Sequence, residues 1–426
     1  MFIQIHMLQS MPPGNLNRDD TGQPKKCIFG GVTRGRISSQ CLKRNIRLSA
    51  QFKEAFGDSL ASRTTYLPQM VAEEIRKDQK LGVPEEEMDE IMLGIAGKFK
   101  KGERGGEADE AEGGGEEQIP ADSISMSNGK AGQTPQLVFF PKPFARRIAE
   151  LIAEFRRNNL RAYTSFIGRK ASPKPTKDDG KSFKVAIDNF VKQASDASRS
   201  LTVDIGMFGR MTTSDLVVNV EAACQVAHAI STHETLIESD YFTAMDDLKV
   251  KYASTQTERT GAAFLGSGET ETFFNSSVYY KYLNLDTDAL REHLPSLSET
   301  DAAHVAGVFV SAAAQTTPTG KQNSFAAHSV PEFILVEVTK AKRPISYANA
   351  FLQAVEGGPG RNLTTESAKA LCGYIDSVAV AFAPPDVRRL LLAVGPASVP
   401  LKSDHDSVDT LDKLVESVVE KVGESA

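Results

Sequence analysis

Cysteine is scarce in this 426-residue sequence: Cys27, Cys41, Cys224 and Cys372 stand far apart, with no CxxC pair and no metal-like spacing. That suits a reducing cytosol better than a disulfide framework, so the four read as ordinary packed or half-exposed thiols. A long apolar run is also missing. The longest near the C-terminus, Val378 to Val399, is broken by Pro384, Pro385, Asp386, Arg388 and Arg389, too early for a bilayer-spanning helix. The N-terminal MFIQIHMLQS lacks a basic lead-in and alternates in polarity, so it reads as a strand and not as a signal peptide. A cytoplasmic protein with no membrane partner is the expectation.

The chain is long enough to bury a substantial core and to carry more than one domain. Its net charge is -6, which alone argues weakly against a polyanion partner. The average conceals two basic blocks. Residues 1–50 hold eight Lys/Arg against Asp19 and Asp20, and residues 142–184 hold twelve against Glu150, Glu154, Asp178 and Asp179. An acidic protein with basic blocks can hold nucleic acid on one face and keep the rest soluble. Solvated helix faces are the bland alternative, and for the second block it carries equal weight.

A strand at 2–9 gives way to a Pro/Gly/Asn/Asp loop through Gly31, then to a helix starting at Ser38 or Ser39 as N-cap and running to about Phe56. Helical patterns follow at 67–80, 84–101 and 144–162, with a loop at 171–181. The Gly/Glu-rich residues 102–118 cannot bury enough apolar area to order themselves and read as a disordered loop. The core resumes with a β-rich stretch at 200–207 and a helical pattern at 217–233. Residues 249–284 read as a long β-hairpin whose second strand is 277–283. A helix at 299–314, a strand at 331–338, helices at 346–355 and 364–383, and an acidic, helix-prone tail complete the chain. This order predicts an α+β fold, a sheet covered by helices, with a mostly helical insertion.

The most informative local feature is the helix after Ser38. Gln40, Lys43, Arg44 and Arg47 fall at i, i+3, i+4 and i+7 and share one face. Arg34 and Arg36 precede the cap, and Arg18, Lys25 and Lys26 lie in the loop before it. The stripe lacks the interleaved carboxylates of a salt-bridged surface helix, so it reads as a phosphate track, with the helix N-terminus at Ser38 and Ser39 offering N–H groups to an anion. Enzyme readings fare worse. Asp19 and Asp20 read as a turn cap more readily than a metal site. His6, His228 and His233 have no nucleophile or carboxylate at a telling spacing, and Phe29-Gly30-Gly31 lacks the lysine of a nucleotide-binding loop. No cofactor and no metal are expected.

Two further stretches could touch a ligand. Arg210, Met211 and Thr212 lie in a small-residue loop, where Met211 could wedge against a base or, equally, pack in the core. Phe264 and Leu265 sit at the tip of the predicted hairpin, where exposed apolar residues dock against something.

Together, the segments NLNRDD (15–20), IFGG (28–31) and RISSQCLKR (36–44) resemble the N-terminal signature of the CasC-type backbone subunit of the type I-E CRISPR Cascade complex, a RAMP-superfamily protein. GRMTT (209–213), AHAISTH (227–233), FTAMDD (242–247) and YANAF (347–351) resemble the same family in the same order. The resemblance implies a ferredoxin-like or RRM-like palm (1–59, 184–248 and 285–400), a helical fingers insertion (60–183), a thumb hairpin (249–284) and an acidic tail (401–426). It implies a non-catalytic subunit that binds crRNA, oligomerises with other copies along the spacer beside other Cascade subunits, kinks the guide at intervals and presents bases to single-stranded target DNA. Arg18, Ser38, Gln40, Lys43, Arg44 and Arg47 would then contact guide phosphates, Arg210 and Met211 would line the guide, and the Phe264–Leu265 tip would wedge at the kink. Phosphate contacts carry no sequence information, which suits a protein that accepts any spacer. Residues 102–118 and 266–271 look expanded relative to that pattern. Glu269 and Glu271 keep open a ribonuclease of the same fold that cuts target RNA from an acidic thumb loop.

Overall fold

The structure is a computed structural model that describes residues 1–99, 132–169, 177–241, 271–382 and 386–424. In chain order its first elements are β1 (Phe2–Gly14), β2 (Lys26–Phe29), β3 (Val32–Ile37), α1 (Ser39–Arg47), α2 (Ala50–Phe56), β4 (Ser62–Thr64), α3 (Leu67–Lys77), α4 (Met88–Gly97), β5 (Val138–Phe140) and α5 (Pro143–Asn158). Then follow α6 (Leu160–Phe166), α7 (Lys177–Ala197), α8 (Val203–Phe208), β6 (Cys224–Val226), β7 (Ala229–Ser231), β8 (Glu238–Tyr241) and β9 (Glu271–Asp286). The last are α9 (Thr287–His293), α10 (Glu299–Gln315), α11 (Gln322–Phe325), β10 (Phe333–Thr339), α12 (Leu363–Phe382), β11 (Arg388–Ala393), β12 (Asp406–Ser407) and α13 (Leu411–Gly423). The fold is α+β, as the sequence predicts.

The chain divides into two compact units: Met1–Phe52 with Gln225–Thr287 and Glu299–Ala426, and Lys53–Cys224 with Asp288–Ser298. This departs from the expected partition at several places, among them residues 53–59 and 288–298, expected in the palm, which group with the helical unit. Residues 184–224 group with the helical unit, and the C-terminal segment groups with the sheet unit.

In the first unit the strands follow the order β12-β11-β10-β1-β9-β7-β3-β2. β1 pairs antiparallel with both β10 and β9, and β9 pairs antiparallel with β7. With α1 between β1 and β7, and α10 between β9 and β10, this is the β-α-β-β-α-β arrangement of a ferredoxin-like sheet. His6 stands opposite Tyr282 on one side and Leu335 on the other, so β1 is the central strand, buried along both faces.

One face of the sheet packs Leu8, Tyr280, Phe333 and Leu335 against α12. It also carries a polar row from neighbouring strands. Tyr282 donates to Gln4 at 2.8 Å, Arg389 Nε lies 2.8 Å from Glu337 Oε1, and Tyr347 donates to the same carboxylate at 3.0 Å. Burial opposes ionisation of Glu337, but His6 and Arg389 outweigh it and hold the carboxyl below its usual range. The Gln4 and Glu337 oxygens thus have hydrogen-bond partners within the fold, and His6 Nε2 lies 3.5 Å from Glu337 Oε2.

The opposite face is covered by α10 and α13. The expected acidic tail is therefore helical and packed: Leu414, Val418 and Val422 bury one stripe, and a Cβ at Gly307 of α10 would lie 2.7 Å from Val419 Cγ2. The helices approach that closely because residue 307 has no side chain.

The second unit is helical, with Val71, Ile75, Ile91, Ile95, Ile148, Ile152 and Phe155 in its core and a two-stranded β4–β5 sheet. Several expected elements differ. Residues 217–233, read as a helix, form instead the bridge at Val220 and the strands β6 and β7, because backbone pairing with distant β9 and β3 overrides local periodicity. The stretch at 200–207, read as β, holds the short helix α8. The helix from Ser38 breaks at Leu48–Ser49 into α1 and α2, the helix expected at 346–355 is a single 3-10 turn at Ala348–Phe351, and α7 begins inside the expected loop at 171–181. The Gly/Glu stretch at 102–118 lies outside the described residues. Among the described residues no helix is long and apolar enough to cross a membrane.

Candidate nucleic-acid interface

The basic helix forms as its sequence predicts. Ser38 is the N-cap, in extended conformation, with its hydroxyl oxygen accepting the Cys41 N–H at 3.3 Å. Leu42, Asn45 and Ile46 are buried, while Gln40 and Arg44 are exposed and Lys43 and Arg47 half-buried on the other side. No acidic residue occurs in α1, and its last turn carries Arg44 and Arg47. Among the described residues no ion pair is seen for Lys43 or Arg44; Arg44 is exposed and Lys43 half-buried on a helix without acidic residues.

The loop before the helix is a closed structure. Asp19 takes the N–H groups of Thr21 and Gln23 and the Thr21 hydroxyl on one carboxylate oxygen, which makes it the turn cap the sequence favours. Burial raises the Asp19 pKa, but these hydrogen bonds prevail and hold it below the ordinary carboxylate range. Arg18 pairs with Pro24 through a β-bridge, exposing the Arg18 side chain, and Lys25 is half-buried. The Lys25 N–H donates to the Asn17 carbonyl at 2.8 Å, and the Arg36 N–H donates to the Lys25 carbonyl at 2.9 Å. The Asn17 side-chain oxygen accepts the Ser38 N–H at 2.8 Å. Ser38 is thus engaged through its N–H and its hydroxyl oxygen. It shapes the helix start and is not an open phosphate contact.

Arg34 requires a correction. It is 0% exposed, and its guanidinium donates to the carbonyls of Phe29, Ser231 and Phe351 at 3.2, 3.0 and 2.8 Å. Burial lowers its pKa. All of its forked donors act inside the fold, tying the β2–β3 hairpin to β7 and to the 348–351 turn, so no phosphate reaches it.

Arg210, in the helical unit, repeats the pattern. Its guanidinium donates to the carbonyls of Val218, Phe139 and Ser198 at 2.8, 3.1 and 2.9 Å, and burial pushes its pKa down to about 10. The Arg210 and Val220 main chains exchange two 2.8 Å hydrogen bonds, closing a loop. Within it the Thr212 N–H donates to Asn219, and its hydroxyl accepts the Ser214 N–H. Arg210 and Thr212 therefore build the loop from inside. Met211 projects from it at 90% exposure, which decides against core packing for that side chain. The hairpin tip, Phe264 and Leu265, and Glu269 lie outside the described residues. Glu271 is exposed at the start of β9.

A family model described as CT1975-like protein matches residues 3–417. The chain belongs to the CT1975-like protein family. None of the curated proteins compared with it matches. Among solved structures, a chain from one described as "CRISPR RNA-guided surveillance complex, pre-nicking" is 25% identical with a TM-score of 0.72, covering 99% of this chain and 100% of that one. A second, described as "CRISPR RNA-guided surveillance complex", is 22% identical with a TM-score of 0.64, covering 99% of each.

In this CT1975-like chain several described cations of the second basic block are already paired and form no comparable track. Arg146 pairs with Asp78 and Glu150, Arg156 with Glu87, Arg161 with Asp179, and Arg169 with Glu87 and Glu90. The bland reading holds there: these cations knit α3, α4, α5, α6 and α7 together. Sequence reasoning missed Asn17, whose side chain joins the loop to the helix cap. Its only sequence signal is a position within the NLNRDD segment.

Proposed function

We propose that this CT1975-like protein is a guide-RNA-binding, non-catalytic backbone subunit of a CRISPR surveillance complex of the type I-E Cascade kind. Copies of the chain line up along the spacer part of the crRNA beside other subunits, kink it at intervals and present the intervening bases to single-stranded target DNA. The sheet unit acts as the palm, the helical unit as the fingers, and residues 249–284 as the thumb, of which the described part, 271–284, lies in β9 and also pairs with β1.

The observation that carries the reading is the outward stripe of Gln40, Lys43 and Arg44 on a helix without acidic residues, next to a closed loop that exposes Arg18. Cations so arranged engage a phosphate backbone without reading its bases. Met211, 90% exposed on a rigid loop, supplies an unbranched apolar side chain able to fill an opened base step. The family match over 3–417 and the 25%-identical solved chain from an RNA-guided surveillance complex support a place in such a complex, and the second solved chain supports the fold.

The test is charge reversal. Lys43→Glu with Arg44→Glu is expected to abolish most RNA retention and to flatten the dependence of log affinity on log salt, by about 0.7 for each phosphate of a single strand that is no longer neutralised. Unchanged retention would make the stripe an ordinary surface.

A further inference from the structure

The interface has two cationic halves, the loop bearing Arg18 and Lys25 and the helix bearing Lys43 and Arg44. The loop is rigid in itself: the Asp19 N–H donates to the Gln23 carbonyl at 2.9 Å, Asp19 Oδ1 gathers three donors, and the Arg18–Pro24 bridge closes the base. The helix is rigid in itself through its Ser38 cap. Asn17 sits where they meet. Its backbone carbonyl takes the Lys25 N–H at 2.8 Å, and its side-chain oxygen takes the Ser38 N–H at 2.8 Å. One residue thus holds the loop by its main chain and the helix N-terminus by its side chain. The Lys25 carbonyl adds a second tie, to the Arg36 N–H.

We propose that Asn17 is the positioning residue that sets the Arg18/Lys25 loop in register with the Lys43/Arg44 helix, so that the two halves engage one stretch of phosphate backbone. The proposal rests on the RNA-binding reading above and adds to it a specific coupling. Asn17 needs no contact with RNA itself. A strand whose phosphates are evenly spaced binds both halves at once only if their separation is fixed, and a mobile loop would lose part of its binding free energy to ordering.

The experiment measures the affinity of the full-length chain for a mixed-sequence single-stranded RNA oligonucleotide across a salt series. The variants are Asn17→Ala, Asn17→Asp, Arg18→Ala and Lys43→Ala, alone and combined. Asn17→Ala is expected to lower affinity and to lower the salt slope by up to about 1.4, the share of two phosphates, as far as the loop no longer engages the strand. In the Asn17→Ala background, Arg18→Ala should cost much less than in the native chain, whereas Lys43→Ala should cost the same in both. Asn17→Asp keeps an oxygen acceptor for the Ser38 N–H and should recover the Arg18 coupling, even where its added charge weakens binding as a whole. That recovery separates positioning from general loss of structure, and it can be read even if Asn17→Ala fails to fold. Additive losses for Arg18 in the Asn17→Ala background, or no recovery with Asn17→Asp, would overturn the proposal while leaving the RNA-binding reading in place. If Lys43→Ala is silent in the native chain, both fall together.

Discussion

The Arg34 guanidinium donates to the carbonyl of Phe351 at 2.8 Å, across 317 residues of chain. With the Phe29 and Ser231 carbonyls it completes a three-way tie that fixes the hairpin leading into the basic helix. Arg34→Met would leave three buried carbonyls without their charged donor and is expected to destabilise the chain by about 3 kcal/mol in chemical denaturation. The salt slope of RNA binding should stay at its native value in whatever fraction folds, since a guanidinium enclosed by these carbonyls reaches no phosphate.

Gly30 and Gly31 form the tip of that hairpin, both with positive φ, +65° and +82°. They differ in surroundings. A Cβ at Gly30 would fall 1.7 Å from the Leu352 carbonyl oxygen, while one at Gly31 would meet nothing within 4 Å. Gly31→Ala should cost about 1 kcal/mol from backbone strain alone. Gly30→Ala carries the same strain and must also displace main chain, adding about 1–3 kcal/mol. Melting temperatures of the two variants, measured side by side, check the order.

Much of this architecture was legible in the sequence and some was not. The Ser38 cap and the cationic stripe could be read because capping and helical periodicity are local. The strand at 2–9 is legible from its alternation, which does not show that both faces are covered. Gln4, His6 and Gln9 are in fact buried, because their partners Tyr282, Tyr280 and Lys281 arrive from another strand. Arg34 and Arg210 were read as surface cations because nothing local announces which carbonyls await a guanidinium. The second basic block looked like a rival track for the same reason. Three of its partner carboxylates, Asp78, Glu87 and Glu90, stand 68 to 79 residues from their arginines in sequence.

Lys281 is 2% exposed, and burial lowers its ammonium to about 8. The unfolded value is near 10.4. Between roughly pH 8 and 10.4 the unfolded chain carries a proton that the folded chain lacks, so this lysine's contribution to stability rises with pH in that window and is a constant penalty below it. Lys281→Met removes this pH dependence, so its stability relative to the native chain should fall as pH rises from 8 to 10, while the lost hydrogen bond to Gln9 Oε1 offsets part of the gain at neutral pH. Cys372 and Tyr279, both pushed up to about 12 by burial, titrate in the opposite sense, so the difference between native and variant denaturation curves is the quantity to follow.

Met211 makes a clean test of a surface role. At 90% exposure its removal should shift stability by no more than about 0.5 kcal/mol. If it fills an opened base step, Met211→Ala should reduce the fluorescence of 2-aminopurine placed at the kinked guide positions, as those bases restack.

Several copies of this chain lining one guide is the arrangement on which the proposed function stands. The direct measurement is to express the chain with its neighbouring genes and a guide array, purify it, digest with nuclease and size the protected RNA. A discrete guide-length fragment, recovered with several copies of the chain and uncut when magnesium is added, is the predicted result. Protein recovered free of RNA, with the guide intact elsewhere in the lysate, would contradict that arrangement and leave the basic helix a surface without a ligand.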